Sequence, residues 1–184
     1  MNREARRVSL TSGFLLHQRP FRDTSLILEI FARDFGRMTA FARGARGARS
    51  RSLGLRQFQP LLLSWSGRGD APQLTGAEPA GDHSTLPAER LLSAFYLNEL
   101  LLKGLARQDP HAALFDAYAE TLAALDDETA ALRAFELVML RELGVLPELS
   151  VETLTTKPLD PARRYALHAE AGLVADAEGL AGSA

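Results

Sequence analysis

Arg37, Arg43, Arg46, Arg49, Arg51 and Arg56 fall within residues 36–57, and no acidic side chain interrupts them. A guanidinium presents a planar fork of donors that fits phosphate oxygens, so the chemistry on offer is contact with a polyanion, above all a nucleic acid. Residues 37–43 suit a strand. Its Met38, Ala40 and Ala42 share one face, and Arg37, Thr39, Phe41 and Arg43 share the other. That second face sets arginines beside an aromatic ring, as base-stacking surfaces do. From Gly44 onward, Gly47 and Gly54 break the chain and Ser50 and Ser52 keep it polar. No apolar period remains there, and the segment reads as a mobile cationic loop. The competing readings are a solvated basic loop, and a Phe41 packed into the core or beneath arginine stems.

Other chemistry is poorly supplied. His17, His83, His111 and His168 are scattered, and there is no cysteine. Metal ligation, thiol nucleophiles and disulfides are therefore not expected. Gly44, Gly47 and Gly54 are not followed by the Lys-Ser/Thr of a phosphate-binding P-loop. No serine sits in a nucleophile elbow, and Glu99 lies in an apolar helical run where a solvent-facing role is expected. The chain is not expected to be an enzyme or to need a cofactor.

The elements that must carry the arginines come next. The 184 residues are 46% hydrophobic and 24% charged, enough for one or two small domains. The net charge of −2 conceals a segregation: residues 1–68 are strongly basic and the remainder is acidic. A polyanion suits the first part and would be repelled by the second. No run approaches the length of a membrane span, and Ser9, Thr11, Ser12 and His17 interrupt the apolar run a signal peptide needs. A soluble, intracellular protein is expected.

In the basic part, residues 12–19 suit a strand ended by Pro20. Residues 25–33 alternate with both faces partly covered, Asp34-Phe35-Gly36 makes a turn, and 37–43 returns as partner. Residues 58–66 form a further strand, with Pro60 marking an edge or bulge and Trp65 as core, rim or stacking platform. Residues 73–78 form the last. Five short strands with one long basic loop match an OB-fold barrel; an SH3-like barrel fits the strand count nearly as well. From Leu86 the period becomes helical. One helix carries Leu91, Leu92, Phe95, Leu101, Leu102 and Leu105 as its apolar face. A second begins with Asp109 as N-cap and Pro110 at its first turn. A third starts at Asp126-Asp127-Glu128 and stops at Gly144 and Pro147. Residues 163–174 read as a small hairpin, after which the signal fades. The fold class is α+β: residues 1–80 an OB-fold nucleic-acid-binding domain, residues 81–184 an α-helical domain with a small cysteine-free hairpin.

The order of these segments resembles the bacterial recombination mediator family RecO. The resemblance is carried by Asp23-Thr24-Ser25-Leu26, Gly36-Arg37, Arg43-Gly44-Ala45-Arg46 and Gln59-Pro60-Leu61. In the helical half it is carried by residues 94–101 and 132–137 and by Leu143-Gly144, so it covers roughly residues 12–174. It implies an OB-fold that binds single- and double-stranded DNA, followed by a helical domain. It further implies strand annealing, action on strands coated with single-strand-binding protein, and work with RecR to load RecA. The location implied is the cytoplasm, in association with the bacterial nucleoid, with no membrane partner. Carried onto this chain, Arg43, Arg46, Arg49 and Arg51 are DNA-contacting candidates, joined by Arg37, Arg56 and Phe41. Two departures stand out. Many members have a cysteine zinc motif after the third helix, where this chain has Glu152 at the first such position. Members also continue with further C-terminal helices, so the chain is expected to be truncated, with loss of partner contacts made there. Two other functions fit the charge pattern: a repair-complex adaptor whose basic loop only steers DNA, and an RNA-binding barrel.

Overall fold

The computed structural model describes residues 6–46, 55–67, 69–81 and 86–182. Five strands open the chain: β1 (Arg6–Phe21), β2 (Ser25–Ala32), β3 (Gly36–Ala42), β4 (Leu61–Gly67) and β5 (Gln73–Pro79). They close into a barrel in the order β1-β2-β3-β5-β4. Neighbours are antiparallel except β3 and β5, which meet in parallel at Phe41 and Gln73. This closed five-stranded barrel is the OB-fold, and the fold class is α+β.

Closure depends on β1, whose 16 residues serve two neighbours. Arg6–Gly13 pair with β4 and Gly13–Phe21 with β2. Register shifts between Val8 and Thr11 and between Leu15 and His17 bend the strand, as bulges do where a sheet must curl into a barrel. Gly13 sits where the strand changes partner, and a Cβ there would lie 2.6 Å from Leu63 Cδ1. The barrel interior holds Leu15, Leu28, Ile30, Ala40, Leu61, Leu63, Trp65 and Leu74. Trp65 is 3% exposed and meets Phe35 edge-to-face at 5.1 Å, so it is a core residue and not a stacking platform.

Three strand limits differ most from the sequence reading. β1 begins at Arg6 and not at residue 12, because its first half ladders with β4. Pro20 does not end β1: it pairs with Leu26, and the strand runs on to Phe21. Past Gly13, β4 no longer flanks β1, and proline is compatible with such an edge. Phe58, Gln59 and Pro60 precede β4 instead of opening it, because Phe58 takes a φ of 63°, which no strand continues.

Three helices follow a short 3-10 turn at Ala88–Arg90: α1 (Leu91–Gly104), α2 (Ala112–Ala123) and α3 (Glu128–Glu142). They build a second core on the outside of the barrel. Phe14 meets Phe115 at 5.2 Å and Tyr118 at 4.9 Å, and Phe31 meets Phe115 at 5.4 Å. The face that α1 buries is Ser93, Ala94, Leu97, Asn98 and Leu101, rotated from the expected one. Leu92 is 83% and Phe95 47% exposed. The rotation follows from Asn98. Its Nδ2 donates to the Leu16 carbonyl at 2.8 Å, and its Oδ1 accepts from Tyr118 Oη at 2.6 Å. A buried amide with both ends bonded is tolerated where an unpaired one would not be. Burial pushes the Tyr118 phenol above its ordinary range, so it remains a donor.

Helix α2 starts later than expected. Its N-cap is His111, not Asp109, and the His111 ring lies between Asp109, at 3.5 Å, and Glu142, at 3.3 Å. Gly36 seats the preceding loop against the barrel. Its φ is +70°, and a Cβ there would lie 2.0 Å from the Asp109 carbonyl oxygen.

By backbone packing the chain forms two compact units, residues 1–142 and 143–184. The second contains β6 (Arg164–His168), β7 (Gly172–Ala175) and β8 (Leu180–Ala181), in the order β7-β6-β8. The expected hairpin is therefore two strands of three; β8 lies in the stretch where the sequence signal fades.

Candidate nucleic-acid interface

The outer face of β1, β2 and β3 carries the candidate site, and register defines its rows. Arg19 pairs with Ile27 and Ile27 with Phe41. One row along, toward the helices, His17 pairs with Glu29 and Glu29 with Thr39. Residues directly opposite across a ladder share a face, so Arg19, Ile27 and Phe41 lie side by side. Toward the open end the β1 strand closes with Phe21 opposite Ser25. The Phe21 and Phe41 rings meet at 5.4 Å and 48°. Both are half-buried, and neither belongs to the barrel core.

The polar row bonds mostly within itself, although Glu29 Oε2 and Arg37 Nε, both buried, make no hydrogen bond. Glu29 Oε1 accepts from Thr39 Oγ1 and from Arg107 Nη2, each at 3.0 Å, and Arg37 Nε lies 3.7 Å from Glu29 Oε2. Two guanidinium groups thus face the carboxylate on this surface, which weakens its repulsion of an anion.

The arginines divide into groups. Arg37 points to the helices: its Nη1 donates to the carbonyls of Leu102 and Leu105 at the end of α1, the latter at 3.2 Å. Its side chain is 14% exposed and it caps a helix C-terminus, where a cation is favourable. Arg43 and Arg46 are exposed beyond the end of β3. Arg46 N donates to the Thr24 carbonyl at 2.9 Å, which ties the start of the basic loop to the β1–β2 turn. Arg56 is exposed where the chain returns to the barrel, next to Gln57, whose Nε2 donates to the Leu16 carbonyl at 2.6 Å. Arg49 and Arg51 lie outside the described residues.

Three residues join this face that sequence reasoning did not select: Arg19, Phe21 and Arg22. The Arg22 guanidinium carbon lies 5.2 Å from the centre of the Phe21 ring. Arg19 and Arg22 are both exposed, and among the described residues no carboxylate pairs with Arg19, Arg22, Arg43 or Arg46. The missed signal was Pro20-Phe21-Arg22, an aromatic and a cation adjoining the turn, hidden by reading Pro20 as a terminator. A groove at this end is lined by Phe21, Arg22, Asp23, Thr24, Ser25, Phe41, Arg43 and Gly44, so two arginines and one carboxylate face it.

What the surface can do is bind an extended anion bearing planar groups: arginines for the charge, rings for the planes. Among the described residues no group of three His, Asp or Glu side chains is placed to hold a metal ion. No helix among them is long and apolar enough to cross a membrane.

An OB-fold barrel joined to a helical second core is the class this fold defines. Residues 7–82 match the family Recombination protein O N terminal, and residues 88–183 match Recombination protein O C terminal. A DNA repair protein RecO from Aromatoleum aromaticum is 43% identical over 185 residues, spanning 97% of this chain and 77% of that protein. Another from Variovorax paradoxus is 46% identical over 187 residues, spanning 96% and 73%. The chain belongs to the RecO family, and DNA repair is the process in which that family places it.

Proposed function

We propose that this chain is a DNA-binding, strand-annealing recombination mediator, and that its barrel, residues 1–80, carries the DNA. The observation that supports this most is the convergence of Arg19, Arg22, Arg43 and Arg46 around the Phe21–Phe41 pair, with the basic loop tied to the turn by Arg46 and Thr24. Sequence-tolerant binding follows from that chemistry, because phosphates and ring faces are common to every nucleotide. A cationic surface screens two strands that would otherwise repel, which favours annealing.

Arg49 and Arg51 are proposed to extend the same contact along the loop, with Arg56 at its return. Arg37 is assigned instead to holding α1 on the barrel. Family membership supports work with RecR and with single-strand-binding protein to help load RecA, in the bacterial cytoplasm at the nucleoid. Fluorescence anisotropy with labelled single-stranded DNA tests the reading. The chain alone is expected to bind, and competing RNA is expected to be the weaker ligand. Failure of the chain to bind DNA at low salt would favour the adaptor reading, and preference for RNA would favour an RNA-binding barrel.

A further inference from the structure

The Phe21 ring is not left bare in the free protein. The Arg22 guanidinium, a planar cation, lies above it at 5.2 Å, while Phe41 approaches at 5.4 Å and 48°. A guanidinium over a ring takes the place that any other flat group would occupy. Arg22 reaches there from a strained backbone: its φ is 54°, a conformation that glycine adopts freely and that side chains disfavour. A tight turn alone would be better served by glycine, so the arginine side chain is what this position gains. Arg22 is exposed, which leaves it free to swing away. The groove beyond it opens toward Asp23, Thr24, Arg43 and Gly44, with Asp23 the one carboxylate in its lining.

The geometry points to Phe21 as the seat of one unpaired nucleobase, with Arg22 as its placeholder. The base displaces the guanidinium from the ring, and Arg22 then meets a neighbouring phosphate. Arg43 lines the same groove, placed for the phosphate on the other side. The seat requires an unstacked base, so it selects single-stranded over duplex DNA. This rests on the reading that the barrel face carries DNA, and it adds which face of which ring takes a base.

Affinity for oligothymidylate and for a duplex of equal length, measured with the full chain at several salt concentrations, tests the seat. Phe21→Ala is expected to weaken oligothymidylate binding roughly 5- to 150-fold, the loss typical of one stacked base. It should leave duplex affinity and the salt slope unchanged, while Phe21→Tyr should bind like the parent. Arg22→Gly relieves the backbone and is expected to keep the parent's melting temperature while reducing the salt slope on single strands by about 0.7. Phe21→Trp adds an indole at the seat, whose fluorescence oligothymidylate should quench and duplex should not; the parent, with buried Trp65, is the control. Parental binding of oligothymidylate by Phe21→Ala, or an equal loss on both substrates, would overturn the seat. If Arg43 and Arg46 still set the salt slope in that case, the DNA-binding face survives without it. If they do not, the face itself is lost.

Discussion

The backbone amide of Arg46 donates to the carbonyl of Thr24 at 2.9 Å. Through that bond the basic loop starts from a fixed point beside the turn that carries Arg22. The bond is main-chain to main-chain, so side-chain replacements at Arg43 and Arg46 can remove charge without releasing the loop's first anchor. The arginines of this face can therefore be tested for charge separately from fold.

Asn98 is expected to hold the helices on the barrel. Replacing it with alanine leaves the Tyr118 hydroxyl without its acceptor, while the Leu16 carbonyl keeps only Gln57. Urea denaturation should show a loss of about 1–3 kcal/mol, the cost of a buried polar group left unpaired. Tyr118→Phe should cost less, because it removes the donor and leaves only the Asn98 oxygen unmet. Parental stability in Asn98→Ala would contradict the role assigned to the network.

Arg37 separates architecture from binding. Arg37→Ala deprives the Leu102 and Leu105 carbonyls of their donor and takes one cation from Glu29. A loss of stability of about 1–3 kcal/mol is expected in denaturant melts, with the DNA salt slope unchanged. A reduced slope at parental stability would place Arg37 among the DNA contacts instead.

Asp116 supplies a pH signature. The hydrogen bond from Arg33, then its charge, holds the Asp116 carboxyl below its ordinary range. A carboxylate with a depressed folded pKa stabilises the fold above its unfolded pKa, and that contribution is lost as pH falls through the folded pKa. Asp116→Asn should therefore melt slightly below the parent at neutral pH, and the two should converge in acid below the usual carboxylate range. Both side chains are nearly half exposed, so the gap should be small and should shrink with salt. A gap that persisted in acid would show that its source is not this ion pair.

How far these features were legible depended on which interactions set them. β2 and β3 were readable because alternation from Leu26 to Ala42 faces the barrel interior on one side, and the Gly36 turn has a single chemical solution. Strand count and one long loop left an OB-fold and an SH3-like barrel both open, and it is the closure order β1-β2-β3-β5-β4 that decides for the OB-fold. The buried face of α1 was not readable, since Asn98 is buried by partners far away in sequence, Leu16 and Tyr118, while Leu92 stays outside. Phe21 and Arg22 escaped notice because their meaning lies in Phe41 and in the Thr24–Arg46 bond, both reached only when β1, β2 and β3 close up. β8, with Leu180 and Ala181 both exposed, has no apolar pattern to betray it. The division of the arginines is likewise tertiary: Arg37 and Arg43 stand at the two ends of one alternating face, and only the position of α1 assigns the first to a helix end.

The measurement that bears most directly on the DNA-binding face is the salt dependence of single-stranded DNA binding by the parent and by Arg43→Ala/Arg46→Ala. Each phosphate neutralised on a single strand contributes roughly −0.7 to the slope of log K against log salt. The double variant is expected to flatten the slope by about one to two units, to anneal complementary strands more slowly, and to melt like the parent. A double variant that bound and annealed like the parent at every salt concentration would contradict the account, leaving these arginines as solvated charge on a barrel that serves another partner.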